Sequence, residues 1–305
     1  MEQWTITVDE EQAGERIDAF LAHFLEGYSR SYLQKLIKNG DVKVNEKAVK
    51  AGYKCRLEDV IEAVIPDPDP LAIEAEEMPL DILYEDADLI FVNKPKGMVV
   101  HPAPGHYTGT LVNGLMAHCG HELSGINGVL RPGIVHRIDM DTTGVLVVCK
   151  NDLAHNHVAA QLAEHSITRR YRALVHGVIE EDEGTVDLPI GRAKNNRLKM
   201  AVDRTGGGKR AVTHYKVLKR FRNFTYVECQ LETGRTHQIR VHMTYLHHPL
   251  LGDTLYGNIP TNYHLQGQTL HAMVLGLVHP RTGEYIECTA PLPAYFEHLL
   301  ETLAE

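Results

Sequence analysis

Apolar residues near the start of the chain recur with a helical period. Ile17, Phe20, Leu21, Phe24 and Leu25 fall at i, i+3, i+4, i+7 and i+8, which predicts an amphipathic helix with one buried face. Ser29 offers an N-cap for a second helix with Tyr32, Leu33, Leu36 and Ile37 on one side, and Asn39-Gly40 supplies its stop. Short strands are expected at Val42-Lys43-Val44 and over residues 60–65, with a turn at Asn45-Glu46. Pro66-Asp67-Pro68-Asp69-Pro70 then breaks the pattern, because proline fixes φ and disfavours helix in the residue before it. The acidic, proline-rich stretch over 66–79 reads as a linker between a small domain over 1–75 and a larger one over 80–305.

Beyond the linker the pattern changes to strands. Leu89-Ile90-Phe91-Val92 is a continuous apolar run of strand length, ended by Lys94-Pro95-Lys96-Gly97, and Val145-Leu146-Val147-Val148-Cys149 is another. Residues 171–176, closed by Gly177, and residues 226–231 read as two more strands, and 153–165 as a helix. Strands come in consecutive blocks rather than alternating with helices. The expected class is therefore α+β, with a mixed, largely antiparallel sheet in the larger domain and a small α/β domain before it.

Composition narrows the choice of class. A length of 305 residues with 43% hydrophobic and 23% charged residues fits two globular domains with buried cores. No apolar run approaches the roughly 20 residues that span a bilayer, and Met1-Glu2-Gln3-Trp4-Thr5 does not open like a secretory signal. Five scattered cysteines with no CxxC pair indicate neither a disulfide framework nor a zinc knuckle, so a reducing cytoplasm is expected. Nineteen histidines include no HExxH, and His247-His248 are adjacent, so no metal is expected. Gly208-Lys209-Arg210 lacks the Ser/Thr of a P-loop, and no GxGxxG is present, so no nucleotide cofactor is expected either.

The net charge of −9 hides a segregated distribution. Residues 57–90 hold twelve Asp/Glu and no Lys or Arg, whereas residues 29–56 hold eight Lys/Arg against Asp41 and Glu46. Residues 192–222 hold eleven Lys/Arg against Asp203 alone. Fields decay over about 10 Å in moderate salt, so a distant acidic stretch does not cancel a basic one. Charge runs are usually solvated surface, but a local +10 over 192–222 points to a polyanion. Lys194, Arg197, Lys199, Lys209 and Arg210 are the candidate backbone contacts there, around a hairpin tip at Gly206-Gly207-Gly208. Arg30, Lys35, Lys38 and Lys43 are their counterparts around the second helix.

The densest chemistry lies in Gly133-Ile134-Val135-His136-Arg137-Ile138-Asp139-Met140-Asp141-Thr142-Thr143-Gly144. Two carboxylates, an arginine and two hydroxyls between apolar flanks exceed what a plain connecting loop needs, since an unpaired buried charge costs several kcal/mol. The His-Arg-Ile-Asp-Met-Asp-Thr-Thr-Gly run resembles the signature of the RluA family of RNA pseudouridine synthases. Arg170-Tyr171-Arg172-Ala173 is similar to the family's second block, and residues 231–242, Leu-Glu-Thr-Gly-Arg-Thr-His-Gln-Ile-Arg-Val-His, to its third. Asn93-Lys94-Pro95-Lys96-Gly97 and His101-Pro102 fit as well, so the resemblance spans about residues 80–295. Residues 15–75 resemble an RNA-binding module of the ribosomal-protein-S4 type, and the whole layout is most similar to members of the large-subunit ribosomal RNA type D.

The resemblance implies a function. Pseudouridine forms when the N-glycosidic bond of uridine breaks, the base turns and carbon 5 rejoins the sugar. A carboxylate either attacks the sugar or abstracts its 2′ proton, and Asp139 matches the family's catalytic residue. Arg240 matches its basic partner, Tyr171 the aromatic that stacks on the flipped uracil, and Arg137 the residue inserted into the vacated stack. Arg235 and His237 follow the Thr233-Gly234 turn and are expected to shape the site or touch RNA. Taken alone, Tyr171 at a strand start suggests packing, and Arg240, placed in a strand, a surface or phosphate contact. The implied substrate is a stem-loop of large-subunit ribosomal RNA, free or in assembling particles, acted on by a monomer without cofactor or membrane. Asp139-Met140-Asp141-Thr142-Thr143 also fits the D-x-D-x-T of haloacid-dehalogenase-type phosphatases, but His136 and Arg137 interrupt the strand those enzymes place before it. Aspartic proteases need contiguous Asp-Thr-Gly, which is missing. A non-catalytic RNA-binding protein is the remaining alternative.

Overall fold

The computed structural model describes residues 2–25, 30–65, 73–103, 105–120, 122–126, 131–196, 198–257 and 259–304. The chain divides into two compact units, 1–70 and 71–305. Ser29 and the segment 66–72, within the expected linker, lie outside the described residues. Residues 73–79 belong to the second unit, where Glu76 donates its N–H to the Asn113 carbonyl and Asn113 Nδ2 reaches the Glu74 carbonyl.

The first unit runs β1 (Glu2–Thr7), α1 (Ile17–Phe24), α2 (Arg30–Asn39), β2 (Val42–Val44), β3 (Lys47–Ala48) and β4 (Val60–Ile65). Its strands form a sheet in the order β1-β4-β2-β3, and β1 is a strand the apolar pattern did not announce. Alternation puts Ile61, Ala63 and Ile65 of β4 inward, onto Ile17, Phe20 and Leu21 of α1 and Leu33, Leu36 and Ile37 of α2. Gly40 at φ 88 ends α2: its N–H bonds the Ile37 carbonyl and that of Asp41 the Leu36 carbonyl, the paired bonds of a Schellman stop. Asn45 and Glu46, at φ 48 and 66, make the two-residue turn between β2 and β3.

The second unit contains β5 (Ile82–Glu85), β6 (Leu89–Lys94), α3 (Leu111–Cys119), β7 (Thr143–Cys149), α4 (Asp152–Ala163), β8 (Thr168–His176), β9 (Glu183–Asp187), β10 (Ile190–Arg192), β11 (Met200–Val202), β12 (Val212–Arg220), β13 (Phe224–Leu231), α5 (Gln238–Tyr245), β14 (Leu270–Val278), β15 (Tyr285–Thr289) and α6 (Ala294–Thr302). Nine strands form one sheet in the order β5-β6-β7-β14-β8-β13-β12-β9, with β15 paired to β14. Among the described residues β7–β14 is the one parallel pair, so the sheet is mixed and largely antiparallel. β10 and β11 form a separate hairpin.

The centre of this sheet positions the polar loop of residues 131–142. Every residue of β7 is buried. Gly144, at φ 111, crosses so close to β14 that a Cβ would collide with the Ala272 backbone. The Thr-Thr-Gly of the motif is thus the tight entry into the central strand, and the preceding loop emerges at the strand's end. No described helix is long and apolar enough to cross a membrane.

Candidate active site

Asp139 sits in a turn closed by the Thr142 N–H on its own carbonyl, at 3.0 Å. The segment is tied down from below by the buried Lys94, whose ammonium donates to the carbonyls of Pro95, Met98 and Met140 at 2.8–2.9 Å. The Gly97 N–H also reaches Met140. Burial lowers the Lys94 pKa to about 7, against the pull of Asp141 and Asp139.

The partner comes from α5. Arg240 Nη1 donates to Asp139 Oδ2 at 2.9 Å, while Nε and Nη2 grip Asp253 at 2.7 and 3.0 Å. Asp253, with no side-chain exposure, also accepts the N–H groups of Leu255 and Tyr256. The Arg240 guanidinium lies 5.0 Å from the centre of the Tyr256 ring. Burial alone would lower its pKa, but the bonds and charge of Asp253, with those of Asp139, push it above the ordinary value. Asp139 is left with one side-chain oxygen, Oδ1, that takes no hydrogen bond among the described residues; His237 Nε2 stands 3.8 Å from it. His237 Nδ1 is 2.8 Å from the Tyr256 hydroxyl, which accepts the Met200 N–H. Burial holds the His237 pKa down.

A cavity of about 270 Å³ opens over this carboxylate. Asp139, Tyr171, Arg240, Arg137, Arg235 and His237 all line it, so six residues drawn from three sequence blocks meet in one place. Arg137 is exposed, and Tyr171 is buried with its phenol pushed to higher pKa by desolvation. Two placements differ from the sequence reading. Arg240 lies in a helix, not a strand: Gln238 to His242 alternates polar and apolar as a strand would, but His237 at φ 58 turns the chain into α5. Tyr171 lies within β8, where Arg169, Tyr171 and Ala173 form the buried side, and not at its start.

The remaining candidates are elsewhere. Lys194 and Lys199 belong to the β10–β11 turn, with Lys199 Nζ 5.9 Å from the Tyr256 ring. Gly206 to Gly208 join β11 to β12 rather than forming the tip of that hairpin, because Lys209 returns to pair its backbone with Ile190. Arg210 is engaged by Glu232 and Asp187 at 3.3 and 3.6 Å. Arg197 lies outside the described residues. In the first unit Lys35, Lys38 and Lys43 are exposed, but Arg30 is bound to the buried Asp18, so part of its charge is spent within the fold. Among the described residues Asp86, Asp88 and His279 are close enough to share a metal ion, but Arg281 occupies Asp88 and none of the three lines the cavity.

Sequence reasoning missed Asp253, Tyr256, Arg169 and His136. Asp253 gave no signal beyond a lone acid after Gly252, with no second Asp nearby, and Tyr256 none at all. Arg169 stood one residue before the second block, and His136 inside the first.

Residues 88–245 match the family model described as RNA pseudouridylate synthase, and residues 15–61 match that of the S4 domain. The chain is 58% identical to the uncharacterized RNA pseudouridine synthase YlyB of Bacillus subtilis (strain 168), over 99% of both chains. It is 47% identical to the ribosomal large subunit pseudouridine synthase D of Zymomonas mobilis, over 98% of this chain and 96% of that one. The solved structure titled human RNA Pseudouridylate Synthase Domain Containing 1 superposes with a TM-score of 0.59 at 25% identity, covering 77% of this chain and 97% of that one.

Proposed function

The chain belongs to the RNA pseudouridylate synthase family and carries an S4 domain, and from that premise we propose that it isomerises uridines of large-subunit ribosomal RNA with Asp139 as the reacting carboxylate. The observation that carries this reading is the division of labour on Arg240. Its Nε and Nη2 are held by Asp253, its Nη1 fixes one oxygen of Asp139, and the other oxygen of Asp139 has no donor among the described residues. A carboxylate fixed on one side and unsatisfied on the other is suited to act on a sugar delivered from the cavity.

A uridine reaches that oxygen only after leaving its stack, at a cost of a few kcal/mol. Arg137, exposed at the cavity mouth, is placed to fill the gap, and Tyr171 offers a buried aromatic face for the extruded uracil. Asp139 then either attacks carbon 1′ or removes the 2′ proton. In both routes the bond to N1 breaks, the base turns and carbon 5 bonds to carbon 1′. The carbon 5 proton leaves and N1 gains one, so the product is an isomer. Tyr171, kept a neutral phenol by burial, presents an uncharged aromatic surface to the turning base. Exposed Lys35, Lys38 and Lys43 of the S4 domain, with Lys194, Lys199 and Lys209, supply sequence-independent attraction to the RNA backbone. The five cysteines are all unpaired, which agrees with action in the cytoplasm.

The test is release of tritium from ribosomal RNA labelled at carbon 5 of uridine, with nucleoside chromatography of the product and no metal or nucleotide added. Wild-type protein is expected to release tritium in step with pseudouridine formation. Absence of release on both free ribosomal RNA and precursor particles defeats the proposal.

A further inference from the structure

The cavity holds a second buried arginine that the chemistry of Asp139 leaves unused. Arg169 stands two residues before Tyr171 on β8, so both side chains leave the same face of the strand, and both line the cavity. Arg169 is only 6% exposed. Its Nη2 donates to the Glu232 carbonyl at 2.9 Å, while its Nε is buried without a partner. No carboxylate among the described residues pairs with it; that of Glu232 is taken by His214 and Arg210. Arg235 is anchored in the same manner, its Nε on the Arg210 carbonyl at 2.9 Å, and it too lines the cavity with no carboxylate partner among the described residues. Burial lowers the pKa of Arg169, and the charge of Arg235 adds to that, against Tyr171.

Gly234 explains how the guanidinium fits. Its φ is not in the left-handed region, so the backbone alone would accept any residue. A methyl group there would stand 2.5 Å from Arg169 Nη1. The glycine thus makes room for the guanidinium, which a side chain there would push aside, and is not demanded by the turn.

We propose that Arg169, together with Arg235, binds a backbone phosphate adjacent to the extruded nucleotide. The proposal rests on the reading of this cavity as the uridine site. A buried cation without a counter-charge is unfavourable, and a phosphodiester supplies both the missing charge and acceptor oxygens matched to a guanidinium fork. Uracil carbonyls offer acceptors without charge and leave the two cations uncompensated. The contact fixes the nucleotide from the side of Tyr171 while Arg240 fixes Asp139, so the sugar is held between them.

The experiment uses the full chain and a ribosomal RNA stem-loop, prepared with one uncharged methylphosphonate at a time at the phosphates flanking the target uridine. At one position wild type is expected to lose roughly ten- to hundred-fold in kcat/KM, mostly through KM, the scale of one charge-assisted hydrogen bond. Arg169→Gln is expected to show the same loss on unmodified RNA and no further loss on the neutralised RNA. Gly234→Ala, which keeps both charges but displaces the guanidinium, is expected to reproduce that pattern with an unchanged melting transition, and it carries the test if Arg169→Gln fails to fold. Losses that multiply at every position overturn the phosphate assignment. So does coupling of Arg169→Gln to 4-thiouridine at the target instead of to any phosphate, which would place the arginine on the base. Wild-type protein that forms no pseudouridine on any of these RNAs overturns the parent reading as well.

Discussion

Each unit of this protein has an aspartate bound to arginine, and the two are built in opposite proportions. In the first unit several donors converge on one acid. Arg16 grips Asp18 with Nε and Nη2 at 3.0 and 3.1 Å, Arg30 does so at 3.2 and 3.1 Å, and Gln34 adds its amide. In the second unit one arginine serves two acids, and the fully buried Asp253 takes most of its donors. Asp18 has no side-chain exposure and, led by the Arg16 hydrogen bond, its carboxyl is held far below the usual range. Asp139 retains 20% exposure and one oxygen without a donor among the described residues. A carboxylate whose lone pairs are all used braces a fold; one with an oxygen to spare beside a cavity is available for chemistry.

Asp139→Asn would break this contrast most severely. It is nearly isosteric, so the protein is expected to fold and bind RNA normally while pseudouridine formation drops on the order of 10³-fold or more. A variant with a tenth of wild-type turnover would mean that the spare oxygen is not the reactive one. Asp18→Ala attacks the other side, leaving Arg16 and Arg30 without their anion. Because both arginines are about half exposed and water screens them once the acid is gone, a loss of about 1–3 kcal/mol in the first unit is expected from chemical denaturation, and a loss well below about 1 kcal/mol would show the saturated cluster to be surface-like. Arg240→Lys sharpens the comparison within the site. A lysine keeps the charge but has no planar fork to hold Asp253 and Asp139 together. The expected result is a roughly 100-fold fall in kcat with a much smaller change in KM; equal changes in both would assign Arg240 to substrate binding instead.

Much of the fold was legible because its signals were local. The helical period of Ile17, Phe20, Leu21 and Leu25, the Gly40 stop and the apolar run into Cys149 each read within a few residues. β1 was not legible, since Glu2 to Thr7 alternates weakly and acquires its partner β4 from more than 50 positions away. Arg240 was assigned to the site but to the wrong element, because the alternation of Ile239 and Val241 imitates a strand until the left-handed φ of His237 is known. Asp253 was illegible for a deeper reason. Its importance lies in removing two donors from Arg240, a relation between residues 13 apart that no motif encodes. Arg30 shows the converse: charge counting treated it as free, and the fold had already assigned it to Asp18.

The smallest effect expected is also the one that separates the two units most cleanly. His136 Nε2, in the wall of the cavity, accepts the Val147 N–H at 3.1 Å, so the ring must be neutral there, and burial lowers its pKa from 6.5 to about 3. His101, in the same unit, is lowered by burial to about 4. Unfolded imidazoles bind protons below about 6.5 that these folded ones refuse, so the second unit loses stability as pH falls from that value toward 3. Asp18 behaves in the opposite window. With its folded pKa depressed below 3.8, its contribution is intact above about pH 4 and is lost only below that. Acidification from pH 7 to pH 5 is therefore expected to weaken the second unit, by on the order of 1 kcal/mol for His136, while sparing the Asp18 cluster. Trp4, the single tryptophan, lies in β1 and reports the first unit alone. In urea titrations its fluorescence midpoint is expected to hold between pH 7 and pH 5 while the circular-dichroism transition of the larger unit moves down. His136→Gln, which keeps an acceptor but cannot take a proton, is expected to recover part of that shift. Equal movement of both transitions would mean that the acid response is not carried by the imidazoles around the cavity.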